Sequence, residues 1–274
     1  MRARSTIQRA RRRDGRWALL IGLISTAAFF GVLGWLVVNA PNWPRVQASF
    51  FNAQEFQAAL PDIVGAFRKN VQLFGISEVL ILVFALVLAT LRSLPGPIFF
   101  PVRLLVIVYT DLFRSLPGAL VIFLLGFGVP ALAIPGVPTE PFFWAVVALT
   151  LLYSAYVSEV YRAGIESVHP SQMMAARSLG LSQFQALRYV ILPQAVRRVI
   201  PPLLNDFIGL QKDTVLVSFV GVVEVFRMTQ MKQSAHFNFT PYLATALLFL
   251  VITLPLARLT DWLVSRDRAR GASR

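Results

Sequence analysis

Charged side chains set inside long apolar runs are the residues of this chain whose types and spacing could do chemistry. Asp111 and Arg114 fall in a run from about 101 to 130, and Lys212, Asp213 and Thr214 in a run from about 197 to 222. Glu159 and Arg162 lie near the end of a run from 142 to 163. An ionisable group in a bilayer core costs ~2.5 to 3.5 kcal/mol on insertion scales, so each needs a partner or a function. Counted inward from Arg103, Arg114 lies about 16 Å along its run; counted from Arg198, Lys212 lies about 21 Å along its own. The two cations are expected at similar depth. Asp111 can meet Arg114 three residues on, whereas Asp213 adjoins Lys212 and must point toward a neighbouring helix. Two readings stand for Arg114, Lys212, Asp213 and Thr214. They line a path for a polar solute, opened by helix breaks at Pro117 and at Pro201 and Pro202, or they form permanent pairs that lock helices together. Glu159 and Arg162 read as a structural pair or a gate latch, and Asn205 as a ligand of the solute or of a neighbouring helix.

The elements that must position these groups are membrane spans. The 274 residues are 56% hydrophobic and only 14% charged, with a mean hydropathy of +0.65, which places the chain among membrane proteins. Its net charge of +13 would suggest nucleic acid in a soluble protein, but the arginines gather in tails and short loops, as positive-inside topology requires. No nucleic-acid partner is expected. The absence of cysteine excludes disulfides and thiolate metal sites, and His169 and His236 leave little for a histidine site; no metal or cofactor is expected in this chain.

The expected fold is all-α and polytopic, with about six spans. A basic tail, MRARSTIQRARRRDGR over 1–16, precedes an uncharged run over 17–39, long enough to cross the bilayer. We read it as a retained helix, with a cleaved signal peptide as the rival reading. An extracytoplasmic linker is expected over 40–65, then a core over 66–265 with spans near 70–91, 101–130, 142–163, 197–222 and 241–263, then a basic tail over 266–274. If the N-terminus is cytoplasmic, the loops at 92–103 and 165–195 and the C-terminal tail are cytoplasmic too, and all of them carry arginine.

The loop over 165–195 contains SQMMAARSLGLSQFQALRYVILP, two short polar-faced helices joined at a glycine. Ser171 reads as the N-cap of the first helix, Gly180 as its left-handed C-terminus, Ser182 with Gln185 as the capping box of the second, and Pro193 as its stop. Ala175, Ala176 and Gly180 would leave a narrow surface on which another protein could sit. The alternative is an amphipathic loop lying on the headgroups.

MAARSLG followed by LSQFQALRYVILP resembles the EAA loop of ABC importer permeases: Ala175, Ala176 and Gly180, nine residues, then Val190, Leu192 and Pro193. The flanks resemble the polar amino acid permeases, with Ala155, Tyr156, Glu159, Arg162, Ser167 and Gln172 before the loop. After it come Gln194, Ala195, Pro201, Asn205, Lys212, Asp213, Thr214 and Leu216. Phe113, Arg114 and Pro117 resemble the family's FRGTP stretch, and the likeness covers about 66–265. Two positions depart from it: Met174 replaces the glutamate of EAA, and Val215 replaces a serine after Thr214.

The resemblance implies a type I importer permease in the bacterial plasma membrane, a non-catalytic subunit that passes polar amino acids by ATP-driven alternating access. Its implied partners are a second permease subunit, the same or homologous, two ATP-binding cassette subunits that carry Mg-ATP, and an extracytoplasmic solute-binding protein. The chain contains no G-x-x-x-x-G-K-[ST] stretch, so nucleotide chemistry is assigned elsewhere. Ser171, Met174, Ala175, Ala176, Gly180, Leu192 and Pro193 would form the loop that couples to the ATPase. Asp111, Arg114, Pro117, Asn205, Lys212, Asp213 and Thr214 would lie along the path. An amino-acid-like osmolyte or amine is the alternative substrate, and a stand-alone ion-coupled carrier using the buried charges is the alternative class.

Overall fold

The computed structural model describes the backbone of residues 2–272 and the side chains of Trp17 and residues 20–266. Among the described residues the chain is helical without strands, and it divides into two units, Met1–Asn52 and Ala53–Arg274. In the first unit, α1 (Arg2–Val38) carries a 19-residue apolar stretch, Leu20–Val38, long enough to cross a bilayer. Asn39 donates from Nδ2 to the Trp35 carbonyl at 2.8 Å, satisfying a terminal acceptor, and Pro41 cannot extend the helix. A short α2 (Trp43–Phe50) follows.

The second unit opens with α3 (Ala53–Arg92), whose 40 residues span about 60 Å. Its start corrects the expected linker over 40–65 and the expected span beginning at 70. Pro61 does not end the helix, because Ala59 and Ile63 on either side are buried in a cluster with Val225 and Ala244. That burial offsets the one backbone bond proline forfeits.

After a tight turn come α4 (Phe100–Ser115), α5 (Gly118–Phe123), a π-helical turn over Leu124–Gly128, and α6 (Val129–Ala131). The expected single span over 101–130 is broken. Leu116 and Pro117 are extended, with ψ of 140° and 131°, and the two halves bend by 107°. Proline disfavours helical backbone in the residue before it, so the break falls where Pro117 dictates.

The next helix, α7 (Pro141–Glu166), is central: it packs against α3, α4, α5 and the following long helix, and Ala145, Ala148, Leu149, Leu152 and Ala155 are buried along it. The remaining helices are α8 (Pro170–Ser178), α9 (Gln183–Ala186), α10 (Leu192–Asp213), α11 (Val225–His236) and α12 (Thr240–Ala272). Among the described residues, four helices are long and apolar enough to cross a membrane, or up to six if each bent pair is one span.

Prolines behave differently in α10. The helix runs unbroken through Pro201 and Pro202, and the chain stays helical from 183 through Pro193, by way of a π-helical turn over Leu187–Ile191. Pro193 therefore does not stop the second loop helix. It occupies the first turn after the widened π turn, where a missing N–H costs little.

Small residues let α7 and α10 approach closely. A Cβ added at Gly164 would stand 2.0 Å from Val199 Cγ2 and 3.5 Å from the Ala195 carbonyl oxygen. Val199 is stiff at χ1 and cannot swing away. Gly164→Leu is therefore expected to force α7 and α10 apart, costing roughly 1–3 kcal/mol or more through overpacking. Thermal unfolding in detergent checks this; an unchanged midpoint would show that the crossing can relax.

Candidate coupling and translocation sites

Three helices bring arginines to one carboxylate. Glu159, in the C-terminal third of α7, contacts Arg92 at the end of α3 and accepts from Arg162 Nε at 3.0 Å and Nη2 at 2.7 Å. Arg114, at the end of α4, stands 4.0 Å from the same carboxylate. Arg162 also reaches Glu166. The sequence spacing identified the Glu159–Arg162 pair, but the structure makes it the centre of a junction that ties α3, α4 and α7 together. Arg92 was not foreseen as a member, since its sequence position marks only a loop edge. Arg114 turns to Glu159 and not to Asp111, which is exposed; the bend at Pro117 ends α4 beside α7 and supplies the nearer acid.

Beside this junction lies a cavity of about 460 Å³, with Arg114, Tyr156, Glu159, Ser167, Arg198 and Asp206 in its walls. The Arg114 guanidinium lies over the Tyr156 ring, 6.0 Å from its centroid. Arg198 donates to the Ser167 carbonyl, fastening the start of α10 to the end of α7. Oδ2 of Asp206 is buried and has no hydrogen-bond partner, an expensive state for a carboxylate oxygen in a cavity wall. Asp206 and Tyr156 were not among the candidate path residues. An acid in the apolar stretch LLNDFIGL was the available signal for Asp206.

The other candidates scatter. Asn205, one residue from Asp206, is exposed, as is Lys212. Asp213 accepts from the Tyr153 hydroxyl at 2.8 Å, which is the neighbouring-helix partner its position required. Thr214 is fully buried away from the cavity, against the expectation that it lines a path. Asn70 Nδ2 donates to Thr214 Oγ1 at 3.0 Å and to Glu224 Oε2 at 2.9 Å, and Asn70 Oδ1 accepts from the Val225 N–H at 3.0 Å. Glu224 caps α11 by accepting from the Phe226 and Arg227 N–H groups at 2.9 and 2.8 Å. This network is satisfied on every side. It fastens α3 to the turn before α11, and Thr214 serves it as a structural member.

At the same end as the Glu159 junction, α8 and α9 form the helix pair. His169, not Ser171, caps α8: its Nδ1 accepts from the Ser171 N–H at 3.2 Å, because the helix starts two residues earlier than a Ser171 cap would have it, at Pro170. Gly180 adopts φ of 85°, and the capping box closes with Gln185 N–H donating to Ser182 Oγ at 3.2 Å and Ser182 N–H to Gln185 Oε1 at 2.8 Å. Ala176 is buried, so it supplies packing and not surface. Ala175, Met174, Leu179 and Phe184 are exposed, and an apolar groove of about 300 Å³ runs between Ile165, Phe184, Leu187 and Leu192.

Residues 81–268, which contain the helix pair and the cavity, match the family described as binding-protein-dependent transport system inner membrane component. The chain belongs to that family. This inner membrane component is 37% identical over 182 residues to the probable amino-acid ABC transporter permease protein PatM of Vibrio harveyi, an alignment covering 66% of this chain and 80% of the relative. It is 37% identical over 170 residues to the probable glutamine ABC transporter permease protein GlnM of Bacillus subtilis, covering 62% and 77%. Its fold resembles the crystal structure of an amino acid ABC transporter with histidines, with a TM-score of 0.68 at 30% identity over 75% of this chain and 94% of that one. The chain is a multi-pass membrane permease subunit of an ABC transport system. The family match begins within α3, so α1 and α2 lie outside it.

Proposed function

We propose that this permease imports amino acids by ATP-driven alternating access, with the α8–α9 pair on the cytoplasmic side and the cavity along the substrate path. One observation carries the substrate class. A cation, Arg114, and an acid with an unpartnered oxygen, Asp206, share the wall of a single cavity, and a wall that carries both signs of charge complements a zwitterion. The relatives named for amino acids agree with this.

Two ATP-binding cassette subunits carrying Mg-ATP would grip the exposed Met174, Ala175, Leu179 and Phe184. A second permease subunit would complete the path, a solute-binding protein would deliver substrate at the far end, and both termini would be cytoplasmic in the plasma membrane. Movement of the helix pair reaches the cavity directly, because Arg198 and the Gly164–Val199 crossing join the start of α10 to α7. A carrier driven by an ion gradient through Asp111, Arg114, Lys212 and Asp213 finds no support, since no ion pair joins any two of these among the described residues.

The test is uptake of labelled amino acids by proteoliposomes holding this chain with its ATPase, with ATP inside and binding protein outside. Uptake should require both, and Asp206→Asn should reduce it about tenfold or more through loss of a charge-assisted contact. Uptake by this chain alone, or full uptake by the Asp206→Asn variant, would overturn the assignment.

A further inference from the structure

The second half of α10 inverts the pattern of a lipid-facing helix. From Pro201 to Asp213 the exposed residues are Asn205 and Lys212, while Leu203, Leu204, Phe207, Ile208 and Leu210 are buried or part-buried. Helices that turn toward lipid do the opposite: α4 exposes Leu104, Leu105, Val108 and Leu112, and α12 exposes Leu247, Leu250, Val251 and Leu254. A lysine amine held against hydrocarbon is costly and an aliphatic side chain is not. This face of α10 therefore meets water or a polar surface.

Arg198, also exposed, completes a stripe with Asn205 and Lys212. Residues spaced by seven drift only about 20° around a helix, so the three share one face over roughly 21 Å. The helix sorts its charges across this face. Its acids turn inward: Asp213 accepts from the Tyr153 hydroxyl of α7, and Oδ2 of Asp206 is buried. Among the described residues Lys212 has no ion pair or hydrogen bond, and Arg198 donates to a carbonyl and meets no acid. The stripe is continuous with the cavity, since Arg198 belongs to both and Asp206 follows Asn205 directly. Lys212 stands about 9 Å beyond Asp206 along the helix, farther from α8 and α9.

We propose that this stripe extends the substrate path outward from the cavity, and that Lys212 holds the α-carboxylate of the amino acid before it enters. This rests on the amino acid import given under the proposed function. A stripe with two cations and no acid selects an anionic group, and an ammonium–carboxylate contact is charge-assisted. Lysine suits a transfer station, because its charge is a point on a flexible stem and demands no fixed angle of approach. Asn205, midway to Arg198, can donate to the carboxylate and accept from the ammonium of a passing zwitterion.

The chain has no cysteine, so a single introduced thiol reports alone within it. The assembled transporter, in proteoliposomes with ATP inside and binding protein outside, is treated with two water-borne methanethiosulfonates, one bearing a sulfonate and one a trimethylammonium group. Lys212→Cys and Asn205→Cys are expected to react about tenfold or more faster than Val108→Cys, the lipid-facing control on α4. At Asn205→Cys the sulfonate reagent should outpace the cationic one, and adding Lys212→Met should remove that preference. With binding protein saturating, Lys212→Met should cut uptake of the labelled amino acid that the wild type imports about tenfold, and Lys212→Arg should retain most of it. Stripe thiols as inert as the control, equal rates for the two reagents at Asn205→Cys, or full uptake by Lys212→Met would overturn the station. Inert stripe thiols together with a lowered thermal midpoint in Lys212→Met would mean that an acid of a second copy holds the lysine, which also overturns it. ATP-driven uptake by the wild type beside inert stripe thiols removes the station alone, whereas a wild type that imports no amino acid removes the importer reading and the station with it.

Discussion

Gly180→Val is expected to abolish ATP-driven uptake while leaving insertion and the membrane core intact. Gly180 holds φ of 85°, yet a Cβ placed there would meet nothing within 4 Å. The penalty of substitution is therefore conformational and not steric within this chain. A β-branched residue forced into the left-handed region costs roughly 1–2 kcal/mol or more, and the chain escapes by changing the turn. That escape reorients α8 against α9, because the Leu181 N–H on the Ala176 carbonyl at 3.2 Å and the Ser182–Gln185 box both depend on the turn. The surface of Met174, Ala175 and Leu179 would then present itself to the ATPase at the wrong angle. Gly180→Asn, which tolerates left-handed backbone, should retain part of the activity. Uptake and ATP hydrolysis measured in parallel check this: hydrolysis without uptake, or loss of ATPase association, is the expected result. Wild-type uptake in Gly180→Val would show that the helix pair transmits nothing.

Glu159→Gln should give a large loss of stability. The substitution keeps shape and removes the charge that Arg92 and Arg162 contact and that Arg114 approaches. Glu159 is only 15% exposed, so water replaces the lost partner poorly. Removing one member of such a junction costs about 2–3 kcal/mol, which for a chain of this size lowers the thermal midpoint by roughly 5–10 °C. Glu166→Gln is the control: Glu166 is mostly exposed and contacts Arg162 alone, so its loss should be small. Equal midpoints for Glu159→Gln and wild type would mean that the three arginines find solvent or lipid phosphate instead, and that the junction is not what holds α3, α4 and α7 together.

The sequence by itself determined the class of the molecule. Apolar runs long enough to span, arginine bias among the loops, and the spacing from Ala175 through Gly180 to Pro193 are local or statistical features that no packing detail can reverse. Gly180 at positive φ and the break at Pro117 were legible for the same reason, since each follows from the backbone preference of one or two residues. Pro61, Pro193, Pro201 and Pro202 show the limit of that logic: burial of Ala59 and Ile63 holds the helix through Pro61, Pro193 takes a first-turn position where its missing N–H costs little, and the helix runs on through Pro201 and Pro202. Which charges meet was decided only by the tertiary structure. Spacing along one helix suggested Asp111 with Arg114, but the bend at Pro117 delivered Arg114 to Glu159 on another helix, where Arg92 had arrived from a third. Likewise Thr214 went to a buried network with Asn70 and Glu224, and Asp206 to the cavity. A charge in a membrane must find a partner, but its identity depends on which helices come side by side, and that is set by close contacts such as Gly164 on Val199 that leave no periodic trace in the chain.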